Sequence, residues 1–143
     1  MSDKENFLWE FAVWGNLDAT KDTELILLKG YLLLEMVLGI AIGNSGIKNL
    51  RDYSFFKKIR VFENIAFKNS EKHKFLVYCL LNVNRLRNTL AHEFEFEIND
   101  GQLTQWSDEI LQNLECKKYT RFTHRTKMVH SFSILAKNIL DLK

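Results

Sequence analysis

The chain has no proline at all. Proline is the strongest helix breaker and glycine the next, and there are only six glycines, so the sequence favours long helices over a turn-rich β fold. At 143 residues, 46% of them apolar, one ordinary domain can bury a core without metals or disulfides. The expectation is an all-α fold, a single helical-bundle domain over residues 1–143. No internal repeat, linker or low-complexity segment suggests a boundary within it.

Apolar spacing divides the chain into about five to six helices. Ser2-Asp3-Lys4-Glu5 has the spacing of a capping box, and Phe7, Leu8, Phe11 and Trp14 follow at helical steps, which predicts a short first helix. After a polar turn at Asp18 to Asp22, the series Leu25, Leu28, Leu32, Glu35, Met36 and Gly39 predicts a long, largely buried helix to Ile42, closed by Gly43-Asn44-Ser45-Gly46. Phe55, Phe56, Ile59, Phe62 and Ile65 mark a helix between Asp52 and Phe67. Ser70 is placed to cap another, along which Leu76, Cys79, Leu80, Val83, Leu86 and Leu90 form one stripe. That pattern breaks at His92. Glu93-Phe94-Glu95-Phe96-Glu97-Ile98 then alternates with the period of an extended segment, and Asn99-Asp100-Gly101 reads as a turn. Helices resume near Ser107 and from Thr123 to Leu140.

Cys79 and Cys116 stand alone, without the paired spacing of a zinc site or the density of a secreted disulfide scaffold, and read as reduced core residues. The acidic N-terminus lacks a signal-peptide layout. The longest apolar stretch, Tyr31 to Ile42, is interrupted by Glu35 and falls short of the ~20 residues of a membrane span. A cytoplasmic protein with no membrane partner is the expectation. The net charge of +2, from 20 basic and 18 acidic side chains, neither demands nor excludes nucleic acid. Its distribution is uneven: every charge from Glu93 to Glu115 is acidic, and then Lys117, Lys118, Arg121, Arg125 and Lys127 arrive with His124 and no acid. That block is a solvated helix face or a phosphate-binding surface.

Arg87 lies about 40° from the centre of its helix's apolar stripe, with Asn84, Asn88 and Ala91 on one flank. A guanidinium there needs an anion or several acceptors, since burying an unpaired charge is costly. Glu35 on the preceding long helix is one candidate partner, in a purely helix-joining role. His92, whose residue type suits proton transfer near neutral pH, stands five positions on, which a continuous helix would turn by about 140°. The two converge only if the helix loosens at His92 or a second subunit completes the pair.

The run Leu86-Arg87-Asn88-Thr89-Leu90-Ala91-His92 resembles the signature of the HEPN superfamily, an arginine followed by a polar residue and then, after a short gap, a histidine. Leu28-Lys29-Gly30-Tyr31-Leu32-Leu33-Leu34-Glu35-Met36-Val37-Leu38 is similar to the long helix of one bacterial subset of these proteins. Phe55-Phe56-Lys57-Lys58-Ile59 resembles the helix that follows in that subset, and Val83-Asn84-Arg85-Leu86 the approach to the motif. The resemblance spans residues 25 to 97 in the family's order.

It implies a helical homodimer whose facing motifs form one composite ribonuclease site. There Arg87 would bind and polarise the scissile phosphate, His92 would move protons, and Asn88 would hold the histidine or phosphate. Glu35 and Asn84 would support them, and Lys117 to Lys127 would guide RNA. Cleavage by attack of the 2′-hydroxyl needs no metal or other cofactor. In toxins of this family that are silenced by nucleotidyl transfer, a tyrosine follows the histidine by two positions. Phe94 stands there in this chain, so that modification is not expected at this position. The competing expectations are a non-catalytic module that binds RNA or a partner protein, and an antitoxin or regulator. A cognate antitoxin or regulatory protein is a further possible partner. His124 and His130, six apart, do not have the spacing that aligns metal ligands on a helix. Ser131 and Ser133 lack a nucleophile framework.

Overall fold

The computed structural model describes residues 23–92, 102–114 and 124–143, with the backbone alone at residues 23, 91, 92 and 124–126. These residues form five helices in chain order: α1 (Thr23–Asn44), α2 (Phe55–Glu63), α3 (Ser70–His92), α4 (Gln102–Asn113) and α5 (His124–Asp141). Among the described residues there is no strand, and the all-α expectation holds. The first predicted helix, the alternating segment after His92, Cys116, Lys117, Lys118 and Arg121 lie outside the described residues.

α5 packs on α1, α3 and α4, while α1 also meets α2 and α3, and α3 also meets α2 and α4. The shared core is Ile26, Leu27, Leu34, Val37, Leu38 and Ile42 from α1, Phe55, Ile59 and Phe62 from α2, Leu76, Leu80, Val83 and Leu86 from α3, and Met128 to Ala136 with Ile139 from α5. α1 and α5 approach closely at Gly30, where an added Cβ would stand 2.5 Å from the ring of Phe132. Only a residue without a side chain fits there.

The helix ends follow local chemistry. Ser54 caps α2, its hydroxyl accepting from the Lys57 amide at 3.2 Å. α2 stops at Glu63, short of Phe67, where the Asn64 side chain donates to the Arg60 carbonyl at 2.8 Å. Asn69, rather than Ser70, caps α3, accepting from the Lys72 amide at 3.1 Å. The planar amide reaches the third helical N–H from one position earlier than expected. α1 ends in a turn at Gly46, whose φ of 89° suits glycine. α4 starts five residues before Ser107, anchored by the Trp106 indole donating to the Cys79 carbonyl of α3 at 2.9 Å.

The chosen face of α1 is where the structure departs from the spacing argument. Leu25, Leu32 and Met36 are 45%, 62% and 46% exposed, and the core is built from the opposite side of the helix. α1 is apolar nearly all round, so spacing alone does not say which side turns inward. Its residues 24–44 are long and apolar enough to cross a bilayer by length and composition, beyond the Tyr31 to Ile42 stretch considered above. The helix of a packed core meets the same criterion, and α1 contributes Ile26, Leu27, Leu34, Val37, Leu38 and Ile42 to this one.

Candidate functional site

Arg87 sits on the core-facing side of α3, between Val83 and Leu90 in successive turns, and is half-buried. Its guanidinium lies over the ring of Tyr31 on α1, 5.3 Å from the centroid. That contact suits a planar cation against an aromatic face. Its Nε is buried with no hydrogen-bond partner. Among the described residues no carboxylate pairs with it.

Glu35, one turn beyond Tyr31 on α1, instead accepts a hydrogen bond from Lys58 Nζ of α2 at 3.2 Å. Glu35 therefore joins α1 to α2 rather than bonding to Arg87, though it remains beside the same tyrosine. Lys58 reaches that carboxylate because the turn of α2 that buries Phe55, Ile59 and Phe62 leaves position 58 on the flank towards α1. The Tyr31 ring also packs on Phe55, with centroids 4.5 Å apart. Burial, and secondly the Glu35 carboxylate, push the Tyr31 hydroxyl above its ordinary range, while Arg87 pulls it partly back. Tyr31 is thus a neutral phenol at physiological pH, beside a carboxylate and a guanidinium. The cluster of Tyr31, Glu35, Lys58 and Arg87 is a polar seam where three helices meet.

α3 is continuous to His92, its last residue. A loosening of the helix between Arg87 and His92 is therefore absent. The two positions differ by about 140° around one axis and do not converge within one chain. Asn88 is exposed and Asn84 half-buried on the same helix. The side chain of His92 lies outside the described residues, as do those of His124 and Arg125. Of the basic block, only Lys127 has a described side chain, and its Nζ lies 2.8 Å from Asp108 Oδ1 of α4. It ties α4 to α5.

The set-aside residues have structural surroundings. Cys79 is buried, and burial pushes its thiol up to about 12, far from a nucleophile at neutral pH. The Ser131 hydroxyl lies 2.8 Å from the Lys127 carbonyl and 3.1 Å from that of Ser107. Phe55 and Phe62 are core residues, but Phe56 is 47% exposed. Among the described residues, no three acidic, histidine or cysteine side chains gather as a cation site. The sequence reading missed Tyr31 and Lys58 as members of the seam. Their signal was present: Tyr31 precedes Glu35 by one turn, and Lys58 is the basic residue on the α1-facing flank of α2.

No protein-family model, curated protein sequence or solved structure matches the chain.

Proposed function

We propose that this chain is a metal-independent endoribonuclease of the HEPN type, acting as a homodimer. The observation that carries the reading is Arg87: a guanidinium held against Tyr31 at 5.3 Å, its charge not neutralised by any described carboxylate. A half-buried cation without an anion among the described residues is suited to binding one, and a phosphodiester is the anion that the Arg87-Asn88-Thr89-Leu90-Ala91-His92 run resembles a site for.

The second subunit follows from two features. Arg87 and His92 diverge on a continuous helix, so a composite site needs the other copy's histidine. Beside Tyr31 and Glu35, α1 exposes Leu25, Leu32 and Met36, and along the same side Gly39 and Gly43 have no atom within 4 Å of where a Cβ would stand. An apolar stripe with two glycines lets a second helix approach closely.

In this mechanism the 2′-oxygen attacks phosphorus as its proton passes to the imidazole of the other copy's His92. The bond to the 5′-oxygen breaks, that oxygen takes up a proton from water, and a 2′,3′-cyclic phosphate and a 5′-hydroxyl remain. Arg87 stabilises the charge on the non-bridging oxygens, and Asn88 orients the phosphate. Purified protein incubated with mixed RNA in chelator should yield cyclic-phosphate ends. His92→Ala should lower the rate by roughly 10²–10⁴-fold without changing the melting temperature. No cleavage by the wild type, or equal cleavage by His92→Ala, would overturn the reading.

The bare stripe on α1 also favours a second reading, a helical interaction module in which Arg87 only braces α3 against α1. On that reading Arg87→Ala lowers the melting temperature sharply and there is no nuclease activity to lose.

A further inference from the structure

α2 is a nine-residue helix whose core duties are met by Phe55, Ile59 and Phe62 alone. Its remaining surface is neither plain polar nor plain apolar. Phe56 is 47% exposed, with the Arg60 guanidinium 4.9 Å from its ring centroid, and Lys57 Nζ lies 4.2 Å from the centroid of Tyr53, just before the helix. Around the helix axis the order is Lys58, Lys57, Arg60, Phe56, so a row of cations ends on an exposed ring. Residues 47–63 carry five cations (Lys48, Arg51, Lys57, Lys58, Arg60) and two carboxylates (Asp52, Glu63), a net +3. Glu63 offsets Arg60 at 3.0 Å and Glu35 offsets Lys58, but among the described residues no carboxylate pairs with Lys57.

We propose that this outward face of α2, with Phe56 and the neighbouring Tyr53 as base-stacking platforms and Lys57 and Arg60 as phosphate contacts, is a binding surface for single-stranded RNA. An exposed ring and a half-buried one, each beside a cation, present the two features an unpaired strand recognises, a π face for a base and a positive charge for the adjoining phosphate. A purely acidic protein partner would have no use for Phe56, and an A-form duplex hides the base faces that the rings would meet. Within the core the helix is tied to the seam, since the buried Phe55 ring packs on Tyr31 and Lys58 reaches Glu35. The choice of RNA rests on the ribonuclease reading, but gripping and cutting are separable by experiment.

The probe is a fluorescent single-stranded oligoribonucleotide methylated at every 2′-oxygen, which cannot be cleaved by 2′-attack, titrated with the full chain and followed by anisotropy. The expected result is salt-dependent binding, weakened about tenfold or more by Phe56→Ala, at least partly retained by Phe56→Trp, and with a shallower salt slope for Lys57→Gln. Thermal melts of each variant check folding, which an exposed position should leave unchanged. Unaltered affinity of Phe56→Ala, equal affinity for a duplex of the same length, displacement by poly-glutamate as effective as by RNA, or no binding at all would each overturn the proposal. Binding without cleavage of ordinary RNA would leave this surface standing and remove the nuclease. Cleavage with no effect of Phe56→Ala on binding would do the reverse.

Discussion

Helix α1 is apolar along nearly its whole length, whereas α5 carries Arg125, Lys127, His130, Ser131 and Ser133 within its first ten residues. Composition would make α1 the central helix. The fold does the opposite: Met128 to Ala136 are buried without interruption in α5, while α1 keeps Leu25, Leu32 and Met36 in the open. The middle of α5 is buried where it lies against α1, α3 and α4, and Ser131 is served within the bundle by the Lys127 and Ser107 carbonyls. Hydrophobicity tells that a helix face tends to be covered; it does not tell which neighbour does the covering. On α1 the uncovered side borders the polar seam, which is why it bears on function.

Substitutions can break this contrast. Phe132→Ala on α5 removes a fully buried ring packed against Gly30 and Trp106 and should lower stability by about 3–5 kcal/mol in a denaturant titration. A loss below about 1 kcal/mol would mean that α5 is not the centre of the core. Gly30→Ala should cost roughly 1–3 kcal/mol, because its Cβ would press on the same ring, and Phe132→Leu should relieve part of that cost in the double variant.

A pH titration sharpens the comparison from within α5. Burial holds the His130 imidazole below its ordinary value, so at mildly acidic pH the unfolded chain binds more protons than the folded one. Stability should therefore fall as pH drops below the unfolded-state value of about 6.5, levelling once the folded-state value is passed. His130→Gln should flatten that part of the melting-temperature profile; an unchanged slope would assign it to another group. The smallest effect belongs to α1. Leu32→Ser, at a position 62% exposed, should change monomer stability by no more than about 0.5 kcal/mol while abolishing self-association in sedimentation velocity. A large fall in monomer stability would show that the stripe is covered within the chain.

Legibility in the sequence followed amphipathicity. On α2, Phe55, Ile59 and Phe62 were chosen by spacing and are the residues that the core takes. On α3 the stripe from Leu76 to Leu86 was readable. The seam was legible only in part. Arg87 stood out because a cation near an apolar stripe is anomalous, but its contact with Tyr31 depends on how α1 is rotated about its axis. Glu35 looked like its partner by charge, and the structure gives that carboxylate to Lys58 at 3.2 Å. Lys127 read as a strand-binding cation and has an acid 2.8 Å away on α4. Ion-pair choice depends on distances between helices, which sequence spacing within one helix does not carry.

By itself, the sequence determined that the described chain is helical and where most of its helices stop. Those are local matters: proline is absent, Ser54 caps, Gly46 turns. Tertiary structure alone decided which side of α1 faces inward, that α5 is buried from Met128 to Ala136, and that Tyr31 rather than a described carboxylate meets Arg87. The physical reason is that an all-round apolar helix has no preferred face until neighbours of a particular shape, here Phe132 against Gly30, select one.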